Sequence, residues 1–321
     1  MSRVSLTLAL RDYAHVAPLA LGDVTVEGVD LTIVRAFDAP QRVLADPTID
    51  GGEGSFSRYL QRVASSDDTF VGLPAFVMRG FRHRCVFVRR GSIFSDSDSD
   101  FSDLVGRRVG LNEWGATGHT WTRAAFRERG IDLPDIRWFV GRLSPTAPPV
   151  AATALPSYVE SIQQGATLTE QLLAGELDAI LSSEPPDGFH ATEGPIVRLF
   201  LDFVSAERSY FARTGIEPAH HLVVLRREIL ADHPWLPGRL LQALEESRQQ
   251  AARTRRLLGD VTPWILAELE ETEALMGPKA GAYGAEPNRA MIAAFCAEQF
   301  AQGLVSEPMD TESVLAGLSF G

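Results

Sequence analysis

The sequence predicts an α/β protein built from two lobes. Strand-like and helix-like segments alternate along most of the chain, which is typical of α/β folds with parallel sheets. From Pro234 onward the pattern is helical. The length of 321 residues exceeds what a single compact core usually holds and is enough for two lobes.

The first third of the chain shows this alternation clearly. Residues 5–10 alternate between polar and apolar side chains, as a strand does. Residues 51–54 are rich in glycine, which allows close backbone approach. Ser55 follows and is predicted to cap a helix whose apolar residues recur at helical spacing. An apolar strand is predicted at 70–76, and a second strand at 85–88.

The middle of the chain contains a predicted anion-binding arrangement. A strand at 106–111 leads into the turn 112–118 and then into a helix, whose first backbone amides lack partners within the helix. The glycine spacing matches no dinucleotide or phosphate-loop motif, so no nucleotide is expected. Further along, Thr167 and Glu170 fit a capping box, which predicts a helix start there.

Composition excludes several classes of partner. The formal net charge is −12, which argues against nucleic acid and anionic membranes. The two cysteines, Cys85 and Cys296, lie in apolar contexts and are predicted to be free thiols, as in a reducing compartment. The N-terminus shows no signal peptide, and no window approaches about 20 apolar residues. We therefore expect a cytoplasmic protein.

A basic cluster stands out against this acidic background. Arg79, Arg82, His83 and Arg84 lie between the two apolar strands at 70–76 and 85–88. Guanidinium groups match carboxylates bidentately, and histidine carries a proton near neutral pH. The cluster therefore predicts a site for a small carboxylated molecule. The alternative is a surface turn whose arginines are simply solvated.

Polar residues also collect at the predicted strand ends. In open α/β sheets, ligands bind beyond the carboxyl ends of the strands. The residues at these positions are Tyr13, Glu53, Arg79, Arg82, His83, Glu113, Trp114, Thr117, Ser182 and Glu184.

The order of elements resembles the type II periplasmic-binding-protein fold. The segments 106–111 and 172–179 are similar to runs found in that fold. The resemblance implies a discontinuous first lobe of residues 1–92 and 215–321, a second lobe of residues 93–214, and a ligand cleft between the lobes.

A closer resemblance, along nearly the whole chain, is to the 4,5-dihydroxyphthalate decarboxylase family, which uses this fold. The matching pieces are Leu6–Ala9 with Asp12-Tyr13, Asp50 with Glu53, Ser55, Ser57 and Tyr59-Leu60, Phe81-Arg82-His83, Val109-Gly110 with Glu113, Asp135–Trp138, Arg213–Ile216 with Pro218 and His221, His233-Pro234-Trp235, Pro263-Trp264, Glu270–Thr272, Leu275–Gly277, Tyr283-Gly284 and Asn288-Arg289. The resemblance implies a carboxy-lyase that decarboxylates a hydroxylated aromatic acid without a cofactor.

Five positions are assigned to carboxylate binding and acid–base chemistry. Arg82, with help from Arg79, is predicted to hold the substrate carboxylate. His83 is the first choice and His221 the second choice for the general acid that protonates the ring carbon. Glu53 is expected to orient a histidine or bind a ring hydroxyl, or alternatively to cap its helix.

Four further residues are assigned to substrate binding. Glu113 accepts a hydroxyl proton, or alternatively pairs with a neighbouring arginine. Trp114 stacks on the aromatic ring, or alternatively belongs to the core. Thr117 and the amides beside it hold a second carboxylate. Ser182 follows a predicted strand end.

Alternative functions follow from the same residues. A metal site would draw on His83, His220, His221 and Glu53, whose separation in sequence shows no recognisable ligand spacing. No metal is therefore assigned, although a divalent cation stays an alternative. A solute-binding protein for a small aromatic carboxylate would use the same arginines. A biosynthetic enzyme acting on another acid is a third reading, because residues 115–116, 184, 220 and 278–282 depart from the family pattern. The sequence does not determine the oligomeric state, and a homo-oligomer is one alternative.

Overall fold

The computed structural model describes residues 3–95, 99–148, 150 and 155–319, which form two compact units. The first unit comprises Met1–Gly80, Gly215–Ala297 and Glu307–Gly321, and the second comprises Phe81–Thr214 and Glu298–Ser306. This division differs from the predicted lobes at residues 81–92 and 298–306, which belong to the second unit. Residues 81–92 do so because the strand in that segment pairs with strands of the second unit.

The strands alternate with helices along the chain, as the sequence predicts. The strands are β1 (Val4–Leu10), β2 (Val29–Arg35), β3 (Gly51–Ser55), β4 (Phe70–Arg79), β5 (Val86–Arg89), β6 (Arg108–Leu111), β7 (Arg137–Val140), β8 (Val159–Ser161), β9 (Ala179–Leu181), β10 (Ile196–Arg198) and β11 (Ala219–Arg226).

Helices alternate with the strands, and the C-terminal third of the chain, after β11, is helical. The helices are α1 (Ala17–Ala20), α2 (Ala39–Ala45), α3 (Phe56–Ala64), α4 (Thr117–Glu128), α5 (Leu168–Ala174), α6 (Phe203–Thr214), α7 (Glu228–Asp232), α8 (Leu236–Leu257), α9 (Ile265–Met276), α10 (Arg289–Ala301) and α11 (Thr311–Gly317). Short 3-10 turns lie at His83–Cys85, Phe101–Leu104, Leu133–Asp135, Gly259–Val261 and Glu286–Asn288. Among the described residues, no helix has both the length and the apolar character that a membrane crossing requires.

The sheet of the first unit has the strand order β2-β1-β3-β11-β4. β1 runs parallel to β2 and β3, whereas β11 runs antiparallel to β3 and β4. The alternation in β1 buries Leu6, Leu8 and Leu10 in the core, where α8 contributes Leu240 and Leu244. The sheet is therefore mixed rather than purely parallel, because the chain returns late to insert β11.

The sheet of the second unit has the order β10-β5-β9-β6-β7-β8. β6 is parallel to β7 and β9, and β5 is antiparallel to β9 and β10. Phe87, Ile180 and Ile196 of this sheet pack with Leu168 and Leu172 of α5. This sheet is also mixed, and its central strands carry the buried side chains that hold α5 in place.

Two predicted helix starts are confirmed. The Ser55 side chain accepts a hydrogen bond from the Arg58 amide at the start of α3. Thr167 and Glu170 form the predicted capping box of α5, and Gly175 ends that helix with a left-handed φ of 77°. Both caps satisfy amides that a helix start otherwise leaves without a partner.

The close approach of β1 and β3 depends on Gly52. Its φ is +141°, and a Cβ there would lie 2.0 Å from the Ala9 carbonyl oxygen. A side chain at this position would separate the two strands and displace the neighbouring Glu53.

We expect Gly52→Ala to destabilise the protein by more than about 3 kcal/mol, because strain and a backbone clash act together. Gly22→Ala is the matched control, since Gly22 also has a positive φ of +83° but a Cβ there meets nothing within 4 Å. That control should cost only about 1 kcal/mol. Urea denaturation of both variants measures the difference, and equal losses would contradict the role of the strand contact.

Candidate active site

A buried carboxylate lies at the centre of the first unit's polar residues. The side chain of Glu53, in β3, is fully buried. Its Oε1 accepts a hydrogen bond from the Tyr13 hydroxyl at 2.8 Å and another from His221 Nδ1. The Arg11 guanidinium lies 3.3 Å from Oε1, and the Arg11 backbone amide lies 3.3 Å from Oε2. The structure thus brings together two predicted site residues, Glu53 and His221.

Sheet topology explains why these residues meet. β1 is parallel to β3, so the residues that follow β1, Arg11 and Tyr13, come alongside Glu53. In the antiparallel pair of β3 and β11, Glu53 lies opposite Val223. Side chains two residues apart on a strand share a face, so His221 is the diagonal neighbour of Glu53.

Electrostatics fix the protonation of this cluster. Burial alone would raise the pKa of Glu53, but the hydrogen bonds and charges of His221, Tyr13 and Arg11 outweigh it and lower that pKa. Burial and the Glu53 charge raise the pKa of Tyr13. At neutral pH Glu53 is therefore an ionised acceptor and Tyr13 a protonated donor. In its hydrogen bond with the ionised Glu53, Nδ1 of His221 is the donor, and Nε2 is the ring nitrogen that takes no part in that bond.

Arg11 and Tyr13 complete the cluster; Tyr13 is one of the residues predicted at strand ends, and neither was assigned to catalysis or substrate binding. Tyr13 stands at a predicted strand end, and its ring stacks on that of His15 with centroids 5.2 Å apart. The Arg11 Nε donates to the Phe37 carbonyl at 2.7 Å. In the sequence, the feature that could have indicated a role for Arg11 and Tyr13 is their position directly after the first strand.

Arg82 forms a second cluster, in the second unit. Its side chain is buried against the first turn of α4, where a Cβ on Gly118 would lie 3.2 Å from Arg82 Nε and 3.0 Å from Ser183 Oγ. Thr117, at the same helix start, is also buried. A guanidinium and a helix N-terminus both favour a bound anion. The arrangement therefore suits a carboxylate.

Ser182 is tied to the same cluster through Cys85. The Ser182 amide donates to the Cys85 carbonyl at 3.0 Å, and Arg82 Nη1 lies 3.7 Å from Cys85 Sγ. The Ser182 hydroxyl donates to the Glu184 carbonyl. Two predicted binding residues, Arg82 and Ser182, thus lie near each other, with Gly118 and Ser183 as neighbours that the sequence analysis did not single out.

His83 occupies a different environment from the one expected of a proton donor. It is 5% exposed and packs against Phe101, Phe200 and Tyr210, with ring centroids 5.2–5.6 Å away. Burial, followed by the charge of Arg213, lowers the pKa of His83 to about 4. The imidazole is therefore neutral at physiological pH, and its Nδ1 is buried without a hydrogen-bond partner.

Trp114 is placed in the core rather than at a surface open to a substrate ring. It is 1% exposed, and its Nε1 donates to the Gln302 carbonyl at 3.0 Å. The guanidinium of Arg123 lies over the ring, 3.7 Å from its centroid. A face covered in this way has no room for a substrate ring, so the core reading of Trp114 agrees with the structure better than the stacking role.

Arg79 and Glu113 make contacts other than the ones predicted for them. Arg79 Nη2 donates to Asn288 Oδ1 at 2.6 Å, and its Nη1 lies 3.6 Å from Glu217. These partners occupy the guanidinium within the first unit. The Glu113 carbonyl oxygen lies 3.0 Å from His119 Nδ1, at the start of α4. Arg79 is therefore engaged by its own unit, and Glu113 contributes a backbone contact there.

The four residues considered for a metal do not come together. Glu53 contacts His221, whereas His220 Nε2 lies 2.7 Å from the Gly80 carbonyl oxygen and His83 belongs to the second unit. Across the part of the chain that the structure describes, no group of three or more His, Cys, Asp or Glu side chains has the arrangement of a metal site.

Solved structures establish the fold class. The aliphatic sulphonate binding protein SsuA of Escherichia coli superimposes with a TM-score of 0.52 at 15% identity, covering 97% of both chains. A Candida albicans protein described as having the generic periplasmic binding protein fold gives a TM-score of 0.51 at 12% identity, covering 98% of this chain and 94% of its own. The protein has the periplasmic-binding-protein-like fold, as the sequence predicts.

Sequence comparison then identifies the family. No protein-family model matches the chain. A 4,5-dihydroxyphthalate decarboxylase of Comamonas testosteroni is 30% identical over 319 residues, which span 95% of this chain and 94% of the relative. Its namesake from Pseudomonas putida is 27% identical over 66% of this chain and 83% of its own length. The chain belongs to the 4,5-dihydroxyphthalate decarboxylase family and is a carboxy-lyase.

The environment of His83 predicts a pH effect on stability. The pKa of His83 is lowered from the ordinary 6.5 to about 4 in the folded protein. Below pH 6.5 the unfolded chain therefore binds a proton at His83, whereas the folded chain binds it only near pH 4. Between these values stability declines as the pH falls, by about 3 kcal/mol in total. We expect His83→Phe to reduce the decline by about this amount, as measured by chemical denaturation across that range, while His119, whose pKa burial also lowers to about 4, keeps its own contribution. An unchanged decline in the variant would contradict the assignment.

Proposed function

We propose that this carboxy-lyase removes CO2 from a hydroxylated aromatic carboxylic acid of the 4,5-dihydroxyphthalate type, with His221 as the general acid. The carrying observation is the hydrogen bond between His221 Nδ1 and the fully buried, ionised Glu53. A carboxylate on one ring nitrogen fixes the tautomer and orientation of the imidazole, which leaves the other nitrogen for the reaction. The names of the two relatives support the substrate class.

In this proposal the proton donor is His221 and not His83, which was the first choice from the sequence. The side chain of His221 is 16% exposed, whereas His83 is enclosed by aromatic rings. With its pKa lowered to about 4, His83 holds almost no proton to donate at neutral pH. We assign His83 to packing in the second unit, and Glu53 and Tyr13 to holding His221.

Arg82 is proposed to bind a carboxylate at the start of α4. Ion pairing stabilises a carboxylate and therefore opposes its loss as neutral CO2. A phthalate carries two carboxylates, and only one of them leaves. We therefore assign Arg82, with Thr117 and the first amides of α4, to the carboxylate that the product keeps.

The chemical step balances without an added reactant. The ring hydroxyl para to the reacting carbon donates electron density to that carbon, and His221 Nε2 delivers its proton to the same carbon, which bears the leaving carboxylate. The bond between that carbon and the carboxylate then breaks, its electron pair restores aromaticity, and CO2 departs. His221 is left with one proton fewer and regains it from solvent. General acid catalysis of this kind contributes about 10²–10⁴-fold.

We propose the cytoplasm as the site of action and no organic cofactor. The free, buried thiols of Cys85 and Cys296 suit a reducing compartment. The electron flow described above uses the hydroxyl of the substrate as its only electron source. A divalent cation that assists by binding the substrate itself would appear as sensitivity to a chelator.

The substrate class is tested by incubating the purified protein with 4,5-dihydroxyphthalate, phthalate and 3,4-dihydroxybenzoate and measuring CO2 release, with and without EDTA. We expect release from 4,5-dihydroxyphthalate, no release from phthalate, which lacks the hydroxyl, and no effect of EDTA. Binding without turnover across a wider panel of hydroxybenzoic acids would overturn the proposed reaction in favour of solute binding. Loss of turnover in EDTA would show that a metal takes part.

The identity of the acid is tested by comparing His221→Asn with His83→Phe. His221→Asn should lower kcat by about 10²–10⁴-fold with little change in KM, because it removes the proton donor and keeps a hydrogen-bonding group toward Glu53. His83→Phe is the matched control and should keep kcat within a few-fold. The opposite pattern would restore His83 as the acid, and full activity in both variants would refute both assignments.

A further inference from the structure

A second buried histidine, His119, lies at the start of α4 and has no part in the proposed reaction. It is the third residue of the helix and is 3% exposed. The residue before it is Gly118, where a Cβ would lie 3.2 Å from Arg82 Nε. Both His119 and Arg82 belong to the second unit, and the charge of Arg82 acts on the imidazole. His119 is therefore a neighbour of the guanidinium that is proposed to bind the substrate.

A hydrogen bond to the backbone fixes the tautomer of His119. Its Nδ1 lies 3.0 Å from the Glu113 carbonyl oxygen. A carbonyl oxygen only accepts hydrogen bonds, so Nδ1 carries the proton, and Nε2 of the neutral ring keeps a lone pair. Nε2 is buried and has no hydrogen-bond partner among the described residues. The ring thus presents a buried acceptor to which no side chain or backbone amide of this part of the chain donates.

The surroundings of His119 keep this acceptor unprotonated. Burial, followed by the positive charges of Arg123 and Arg82, lowers the pKa of His119 to about 4, against the opposing effect of the bond to Glu113. The imidazole is therefore neutral at physiological pH, and Nε2 accepts hydrogen bonds but donates none. A carboxylate, which also only accepts, cannot pair with it. The chemical group that fits is a donor such as a hydroxyl.

A comparison with His83 shows that position distinguishes the two buried imidazoles. The pKa of each is lowered to about 4, and each has one buried nitrogen without a hydrogen-bond partner among the described residues. Three aromatic rings enclose His83, with centroids 5.2–5.6 Å away. His119 lies instead in the first turn of α4, beside Arg82. A substrate held by Arg82 is therefore within reach of His119, and His83 serves as a matched control.

We propose that His119 Nε2 accepts a hydrogen bond from a ring hydroxyl of the substrate and thereby selects hydroxylated acids. This inference rests on the proposed function, in which Arg82 holds the carboxylate that the product keeps. The sequence assigned the acceptance of a hydroxyl proton to Glu113, whereas in this proposal the Glu113 backbone positions the imidazole that accepts it. Protonation of the ring carbon makes the hydroxyl oxygen more positive, and a fixed acceptor beside the hydroxyl stabilises that charge.

The selectivity is measured by calorimetric titration of the full chain with 3,4-dihydroxybenzoate, which carries two hydroxyls, and with benzoate, which carries none. An unpaired buried acceptor costs affinity on the order of 10–100-fold, so the wild type should prefer 3,4-dihydroxybenzoate by about that ratio of Kd values. His119→Phe should reduce the ratio by the same factor. His119→Gln, which keeps an acceptor near the Nε2 position, should retain most of it. The matched control His83→Phe should leave the ratio unchanged.

A spectroscopic measurement on the wild type supplements the titration and does not depend on the folding of His119→Phe. The nitrogen NMR resonance of His119 Nε2 should shift when 3,4-dihydroxybenzoate binds, because the lone pair then accepts a hydrogen bond. Benzoate should leave that resonance in place. The resonance is assigned by its absence from the spectrum of His119→Gln.

The outcomes separate this proposal from the proposed function. Equal loss of affinity for both ligands in His119→Phe would show that the residue has a structural role or binds an internal water, and would overturn the proposal. An unshifted Nε2 resonance would do the same. If 4,5-dihydroxyphthalate still releases CO2 while the Kd ratio is unchanged in His119→Phe, the decarboxylation stands and the role of His119 is refuted. Absence of both CO2 release and binding of either acid would overturn both.

Discussion

The fully buried carboxylate of Glu53 is the constraint on which the first unit depends. A charge without solvent is costly unless several donors compensate it. Here the donors come from two distant places in the sequence, the segment after β1 and the late strand β11, and they meet at Glu53 in β3. The ion cluster therefore links the early and late parts of the unit. The same contacts orient His221, so the stability of the sheet and the alignment of the proposed acid have one physical cause.

Local features of the fold were predictable because they depend on neighbouring residues. The alternation in β1, the Ser55 cap and the Thr167–Glu170 capping box are all properties of a few consecutive residues. The direction of β11 was not, because its pairing with β3 joins residues about 170 positions apart. Nothing near β11 in sequence specifies whether it enters parallel or antiparallel. The boundary near residue 81 depended in the same way on the distant partners of β5.

The residues of the candidate site also separate into those predictable from nearby sequence and those whose state depends on distant contacts. Glu53, Arg82 and Ser182 follow from the rule that ligands bind at strand ends, and His221 follows from the resemblance to the family. The structure groups these four residues into two clusters. Whether a histidine is charged depends on what covers it. The rings that neutralise His83 come from Phe101, Phe200 and Tyr210, far along the chain. The close contacts that a Cβ at position 118 would make likewise involve Ser183 and Arg82, which only the folded chain brings together.

The division of the chain into two discontinuous units limits how recombination between genes could replace a unit. The backbone passes from one unit to the other at residues 80–81, 214–215, 297–298 and 306–307. Gln302 belongs to the second unit, where it binds Trp114 and Arg123, yet it is encoded near the C-terminus. Exchange of one contiguous gene segment therefore cannot replace either unit whole. Loss of the last 25 residues or so would remove parts of both cores, so the two units are constrained to evolve as one heritable module.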